Sequence, residues 1–145
     1  MVGQVDALTA QQQEICAVTD KFYRALNQLF CGNVTPICEL WSHTEDVSYL
    51  GPQGKILTGW NAVRSAWEEQ AARKLGGKIE PKDLHIVVEG NIGICQNFEV
   101  GSNVINGQQV SVEIRALNLF RKEKGVWKMI SHQTDLIPYL NVSST

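Results

Sequence analysis

The stretch Arg115–Thr134, RALNLFRKEKGVWKMISHQT, constrains the fold more than any other part of the chain. Ile114, Ala116, Asn118 and Phe120 alternate with Arg115, Leu117, Leu119 and Arg121. After a charged break, Ile130, His132 and Thr134 alternate with Trp127, Met129, Ser131 and Gln133. Period-two patterning around Lys-Glu-Lys-Gly predicts two antiparallel strands joined by a tight turn near Lys124–Gly125. Such a turn sets Asn118 across from or diagonal to His132, within reach on one face. The alternation alone leaves open which face is buried.

Upstream, Thr9 followed by Gln12 forms a capping box. Ile15, Val18, Phe22, Ala25, Leu26, Leu29 and Phe30 then recur at helical spacing, and Gly32-Asn33 ends that helix. Thr35-Pro36 starts a short second helix with Ile37, Leu40 and Trp41. Asp46–Leu50 reads as a brief strand stopped by Gly51-Pro52-Gln53-Gly54. A third helix follows Thr58-Gly59, with Trp60, Val63, Trp67 and Ala71 on its apolar stripe and Gly76-Gly77 at its end. Beyond that the period changes. Leu84–Val88, Ile92–Val100 and Val110–Phe120 read as strands, and Asn106-Gly107 marks a hairpin turn. Gly101 is a candidate bulge that would reset which residues face inward. Helices first and a meander after them indicate an α+β domain, with helices on one face of a curved antiparallel sheet. The expectation is one domain over residues 1–145, with 1–8 and 139–145 as loose termini.

Composition narrows the function classes. With 145 residues, 19% charged and a formal net charge of −2, the chain gives no electrostatic reason to expect nucleic acid or an anionic membrane as partner. No run approaches a membrane span, and the first residues lack the pattern of a secretory signal. Cys16, Cys31, Cys38 and Cys95 show neither CxxC nor zinc-finger spacing and read as reduced core thiols of a cytoplasmic protein. No phosphate loop, zinc motif or nucleophilic triad is present, so no cofactor and no metal site are expected.

The order of elements resembles the nuclear-transport-factor-2-like fold, which includes ketosteroid isomerases, SnoaL-like polyketide cyclases and the association domain of calcium/calmodulin-dependent protein kinase II. Three stretches are similar to it: Phe22–Asn27 in the first helix, Thr58–Val63 at the entry to the third, and Leu119–Ile130 with its Gly-x-Trp ending. The resemblance implies a cone-shaped fold with a pocket between sheet and helices, and a homodimer formed through the outer sheet face. The isomerase chemistry does not carry over. The carboxylate base position falls near Tyr49, the first-helix Tyr near Phe22 (with Tyr23 a quarter-turn away), and the pocket Asp near Asn118. A phenol with an ordinary pKa near ~10 is a poor base at neutral pH, and an amide is none. Scytalone dehydratase-like chemistry uses paired histidines and carboxylates, whereas this chain has only His43, His85 and His132.

The facing that the resemblance implies lines the pocket with Tyr49, Gln96, Phe98, Ile114, Asn118, Ile130, His132 and Thr134. It puts Glu99, Glu113, Arg115, Gln133 and Asp135 outside, together with Leu117, Leu119, Trp127 and Met129 at a subunit contact. If Gly101 shifts the register, Glu113 and Arg115 enter the pocket instead. His132 is then the one readily titratable group inside, a candidate acid–base or a hydrogen-bonded core histidine. Asn118 could hold its tautomer. His43 is read as exposed in its polar loop, and the four tryptophans as core and interface mass. These features lead to a homodimeric domain that binds a small apolar or weakly polar molecule. The alternatives are an isomerase, cyclase or dehydratase using His132, and a protein-association module.

Overall fold

The computed structural model describes residues 7–51 and 53–135; of the termini expected to be loose, 1–8 and 139–145, residues 1–6 and 139–145 lie outside the described residues. Helix α1 spans Ala10–Phe30, α2 Thr35–Leu40 and α3 Trp60–Arg73. The strands are β1 (Ser48–Leu50), β2 (Ile56–Thr58), β3 (Lys78–Glu89), β4 (Ile92–Ile105), β5 (Gln108–Glu123) and β6 (Val126–Asp135). They form one open sheet in the order β2-β1-β6-β5-β4-β3. All neighbours are antiparallel except β1 and β6, which run parallel. The sheet is therefore mixed, because β1 reaches β6 only after the whole meander has been laid down.

Local chemistry explains the helix and turn boundaries. Thr9 and Gln12 form the reciprocal capping box at the start of α1. Lys124 and Gly125 both take positive φ, as do Asn106 and Gly107, giving two-residue turns that match the twist of their strands. Helix α1 lies across β3 and β4 and is clasped there by Asn27. Its side chain accepts from Ile79 N at 2.8 Å and donates to Ile79 O at 3.0 Å. The core between helices and sheet holds Ile15, Phe22, Leu29, Trp41, Val63, Trp67, Phe120 and Met129, all buried. Fully burying each aliphatic member contributes about 1.5–3 kcal/mol.

Two register features depart from simple alternation. In β6, Leu119 pairs with Ser131 while Phe120 pairs with Met129, so Ile130 is an extra residue. This bulge puts Trp127 and Met129 on the inner face together with His132 and Thr134. The expected subunit contact through Trp127 and Met129 is therefore corrected: both fill the core, and the Trp127 indole N–H donates to Glu14 at 2.6 Å. In β3 the register shifts between Lys82 and His85. Gly101, the expected bulge, instead pairs regularly with Val112 and Ile79.

Gly101 is needed for a different reason. Its φ is +148°, and a Cβ there would lie 1.9 Å from the Lys78 carbonyl oxygen. That oxygen is held in a sheet ladder and cannot yield cheaply. Gly101→Ala is expected to destabilise the fold by about 2 kcal/mol or more, which thermal or denaturant unfolding would read; an unchanged midpoint would refute the account.

Candidate functional site

A cavity of about 500 Å³ opens between α3, the β1–β2 hairpin and the inner face of the sheet. Its wall is mostly apolar, with Leu26, Phe30, Leu57, Trp67, Leu75, Val112 and Ile114 among its residues. Among the polar side chains that line it from the strands, Tyr49, Glu99, His132 and Thr134 are the buried ones. Pleating explains the set. Tyr49 of β1 pairs directly with His132 of β6, and Thr134 follows two residues on, past the bulge that turned this face inward. On β4, Cys95, Asn97 and Glu99 alternate inward while Gln96 and Phe98 point away.

Several pocket assignments from the sequence therefore need correction. Gln96 and Phe98 lie on the outer sheet face, where Gln96 meets His85 at 3.0 Å and Phe98 stays 37% exposed. They line a second, open concavity of about 450 Å³ with Arg115 and Asp135, which form a two-point ion pair. Ile130 is the bulged residue, half-buried and outside the cavity lining. Glu99, expected outside, is inside and 5% exposed. Glu113 sits exposed at the mouth, while Arg115 stays outside. Tyr49, Ile114, His132 and Thr134 line the cavity, and Asn118 is fully buried behind it. His43 is exposed and stacks on Trp60. All four cysteines are free, but Cys95 alone is buried and Cys31 is exposed, so they are not a set of core thiols.

Behind the cavity, five buried side chains form one hydrogen-bonded chain. Asn97 Nδ2 donates to the Tyr23 oxygen at 2.9 Å, and Asn118 Nδ2 donates to the same oxygen at 3.2 Å. Asn118 Nδ2 also donates to Asn97 Oδ1 at 3.0 Å. With its oxygen accepting twice, Tyr23 directs its single O–H to Glu99 Oε2 at 2.8 Å. Asn118 Oδ1 lies 2.6 Å from His132 Nδ1. An amide oxygen only accepts, so Nδ1 carries the hydrogen. The Nε2 of a neutral His132 is then a bare lone pair, 3.4 Å from Glu99 Oε2. Two acceptors facing each other would repel; one proton must be held by the Glu99–His132 pair. Three of these five residues, Tyr23, Asn97 and Glu99, were not among the pocket residues read from the sequence. Tyr23 follows Phe22 on α1, and the helical phase alone did not single out its hydroxyl over the neighbouring ring.

The sequence pattern of the SnoaL-like domain matches residues 15–138. The chain belongs to the SnoaL-like domain family. Its structure is similar to that of a candidate dehydratase of the nuclear transport factor 2-like family from Streptomyces avermitilis. The TM-score is 0.78 at 21% identity, over 88% of this chain and 96% of the other. It is also similar to a candidate calcium/calmodulin-dependent protein kinase type II association domain from Thiobacillus denitrificans, with a TM-score of 0.71 at 21% identity over 83% and 93% of the two chains. A candidate ketosteroid isomerase from Shewanella frigidimarina aligns with a TM-score of 0.67 at 19% identity, over 82% and 92%. No curated protein sequence matches this one. The SnoaL-like chain thus has the α+β architecture that the order of its elements implied, with the cystatin-like arrangement of helices on a sheet.

Electrostatics agree with the geometry. Burial pushes the Glu99 carboxyl up to about 7, partly opposed by the Tyr23 hydrogen bond. Burial pushes the His132 imidazole down to about 3 and the Tyr49 phenol up to about 12. Near pH 6 the folded pair is Glu-H and neutral His, whereas the unfolded pair is Glu⁻ and HisH⁺: one proton in each state. Among the described residues no cluster of three or more His, Cys, Asp or Glu could hold a metal ion, and no helix is long and apolar enough to cross a membrane.

The pH dependence follows with a definite sign. Glu99, whose folded pKa is raised from 4.5, loses stability as pH rises to about 7. His132, lowered from 6.5, gains stability as pH rises from about 3. Between the two unfolded values the contributions oppose each other, and this pair adds little slope. Glu99→Gln removes one side of that balance. The variant's stability is expected to rise with pH between about 4.5 and 6.5, by up to about 1.4 kcal/mol per unit relative to the parent. Parallel denaturant-derived stability curves for the two proteins would contradict it.

Proposed function

We propose that this SnoaL-like domain binds a small, largely apolar molecule in the inner cavity and moves a proton on it with the Glu99–His132 pair, as an isomerase, cyclase or dehydratase does. One observation carries the reading: the Glu99 carboxyl and the His132 imidazole lie 3.4 Å apart, buried beside an apolar cavity. A binding domain without catalysis rested on a pocket with no inward carboxylate, and Glu99 removes that premise. A carboxyl poised near neutrality can give or take a proton at physiological pH. Asn118 holds the His132 tautomer, and Tyr23 fixes one carboxyl oxygen, leaving Oε1 as the oxygen without a protein partner. Tyr49, which accepts from Gln70 Nε2 at 2.8 Å, keeps its O–H for a ligand oxygen. The candidate dehydratase and ketosteroid isomerase among its structural neighbours are compatible with such chemistry.

A homodimer through the outer sheet face belongs to the same proposal. Val87, Ile94 and Leu119 line up across three strands there, with Leu117 and the exposed Phe98 beside them. Water-facing apolar rows of this kind suit a second copy of the sheet. Four unpaired thiols support a reducing, cytoplasmic setting.

Deuterium uptake from D₂O next to the carbonyl, followed by NMR over a panel of cyclic ketones, tests the chemistry. The parent protein is expected to accelerate exchange on at least one member, and Glu99→Gln to slow it by about 10²–10⁴-fold while keeping its fold. Undiminished exchange in that variant would take the pair out of the mechanism. For the assembly, Phe98→Asp is expected to shift the mass seen by light scattering from dimer to monomer; a parent protein that is already monomeric sinks the dimer.

A further inference from the structure

Among the described residues four buried side-chain polar atoms have no partner within the protein: Thr19 Oγ1, Trp41 Nε1, Trp67 Nε1 and Thr134 Oγ1. Trp67 and Thr134 both line the cavity. Folds keep few such orphans, because a buried hydroxyl without a partner is destabilising. Thr134 is 7% exposed. It follows His132 on the same strand face, which sets the two side chains roughly 7 Å apart along β6. Its cross-strand neighbour is Ala116, which offers no hydrogen-bonding group. The charge pattern is equally specific. The cavity's cations, Lys55 and Arg73, are exposed, and Arg73 is already paired with Glu69 at 3.2 Å. Deep in the cavity, among the described residues, no buried cation stands near Glu99 to offset a negative charge on a ligand.

From these placements we propose that the cavity takes a neutral, mostly apolar molecule with two separated polar groups: one faces Glu99 and His132, and the other, a hydroxyl or carbonyl oxygen, is held by Thr134 Oγ1. The inference rests on the acid–base reading of the same cavity and adds the class of ligand. An anionic ligand reaching Thr134 would desolvate its charge with no buried cation beside it. A wholly apolar one would leave the hydroxyl unpaired. Thr134 therefore acts in recognition, while the proton transfer belongs to the pair two residues away.

Two probes that differ by one hydroxyl test this: 6-hydroxy-1-tetralone and 1-tetralone, titrated calorimetrically into the full chain. The parent is expected to bind the hydroxy ketone about five- to tenfold more tightly, the worth of one neutral hydrogen bond. Thr134→Val should abolish that preference, leave 1-tetralone affinity unchanged, and keep or raise the unfolding temperature of the free protein. Thr134→Ser should restore the preference. Equal parent affinities for the two probes overturn the role of Thr134. A parent that binds neither probe overturns the neutral two-oxygen class. A lower unfolding temperature in Thr134→Val also overturns it, since the hydroxyl would then have a partner in the fold. If the parent keeps the hydroxyl preference but exchanges no deuterium on any ketone, the acid–base reading fails and the recognition reading stands.

Discussion

The site depends on one extra residue in β6. Trp127 and Met129 are needed in the core, and His132 and Thr134 are needed in the cavity. A regular strand cannot give both, because its side chains alternate strictly between faces. The bulge at Ile130 resolves the conflict by resetting the parity midway along the strand. The closed end of the fold, under α1, is thereby packed with aromatic and sulfur-bearing side chains. The open end, under α3 and the short β1–β2 hairpin, keeps its polar groups turned inward.

Once those groups are inside, their hydrogen bonds are tightly determined. Each buried donor and acceptor must find a partner or remain costly. Two asparagine amides saturate the Tyr23 oxygen, which forces the tyrosine proton onto Glu99. The Asn118 oxygen forces a hydrogen onto His132 Nδ1. Both constraints converge on the gap between Glu99 and His132, where one proton is needed. The scaffold therefore sets the protonation state of the pair from behind, leaving the cavity side for a ligand. Glu99 can be raised and His132 lowered together without net charge in the core, which is how a buried ionisable pair is tolerated at all.

Much of this was legible in the amino-acid pattern. The capping box at Thr9, the turns at Lys124-Gly125 and Asn106-Gly107, and the order of helices and strands followed from local propensity and periodicity. The turn position set Asn118 across from or diagonal to His132, and the extra residue at Ile130 brings the two directly opposite. What was not legible was facing. The β4 strand carries Cys95, Asn97 and Glu99 on one side and Gln96 and Phe98 on the other. Hydrophobicity favours the wrong side, because the outer face is also apolar. Only the two asparagines and the tyrosine, acting together across three elements, make an inward Glu99 acceptable. That is a tertiary fact, and no single segment carries it. Likewise the bulge has no glycine to announce it, whereas Gly101, which looked like one, is required by a close backbone approach instead.

The extra residue at Ile130 also bears on how such folds diverge. Facing beyond that point is inherited from a count of residues, and the chemical identity of any single position is secondary to it. Losing or gaining one residue there would exchange the whole inner and outer sets of the strand's last turn of pleat at a stroke. Two relatives aligned without a gap could therefore present opposite sides of β6 to the same cavity. Equivalence among their site residues has to be judged by which side of the sheet they occupy and by their distance along the ladder from the nearest irregularity, since position in an alignment says little past it.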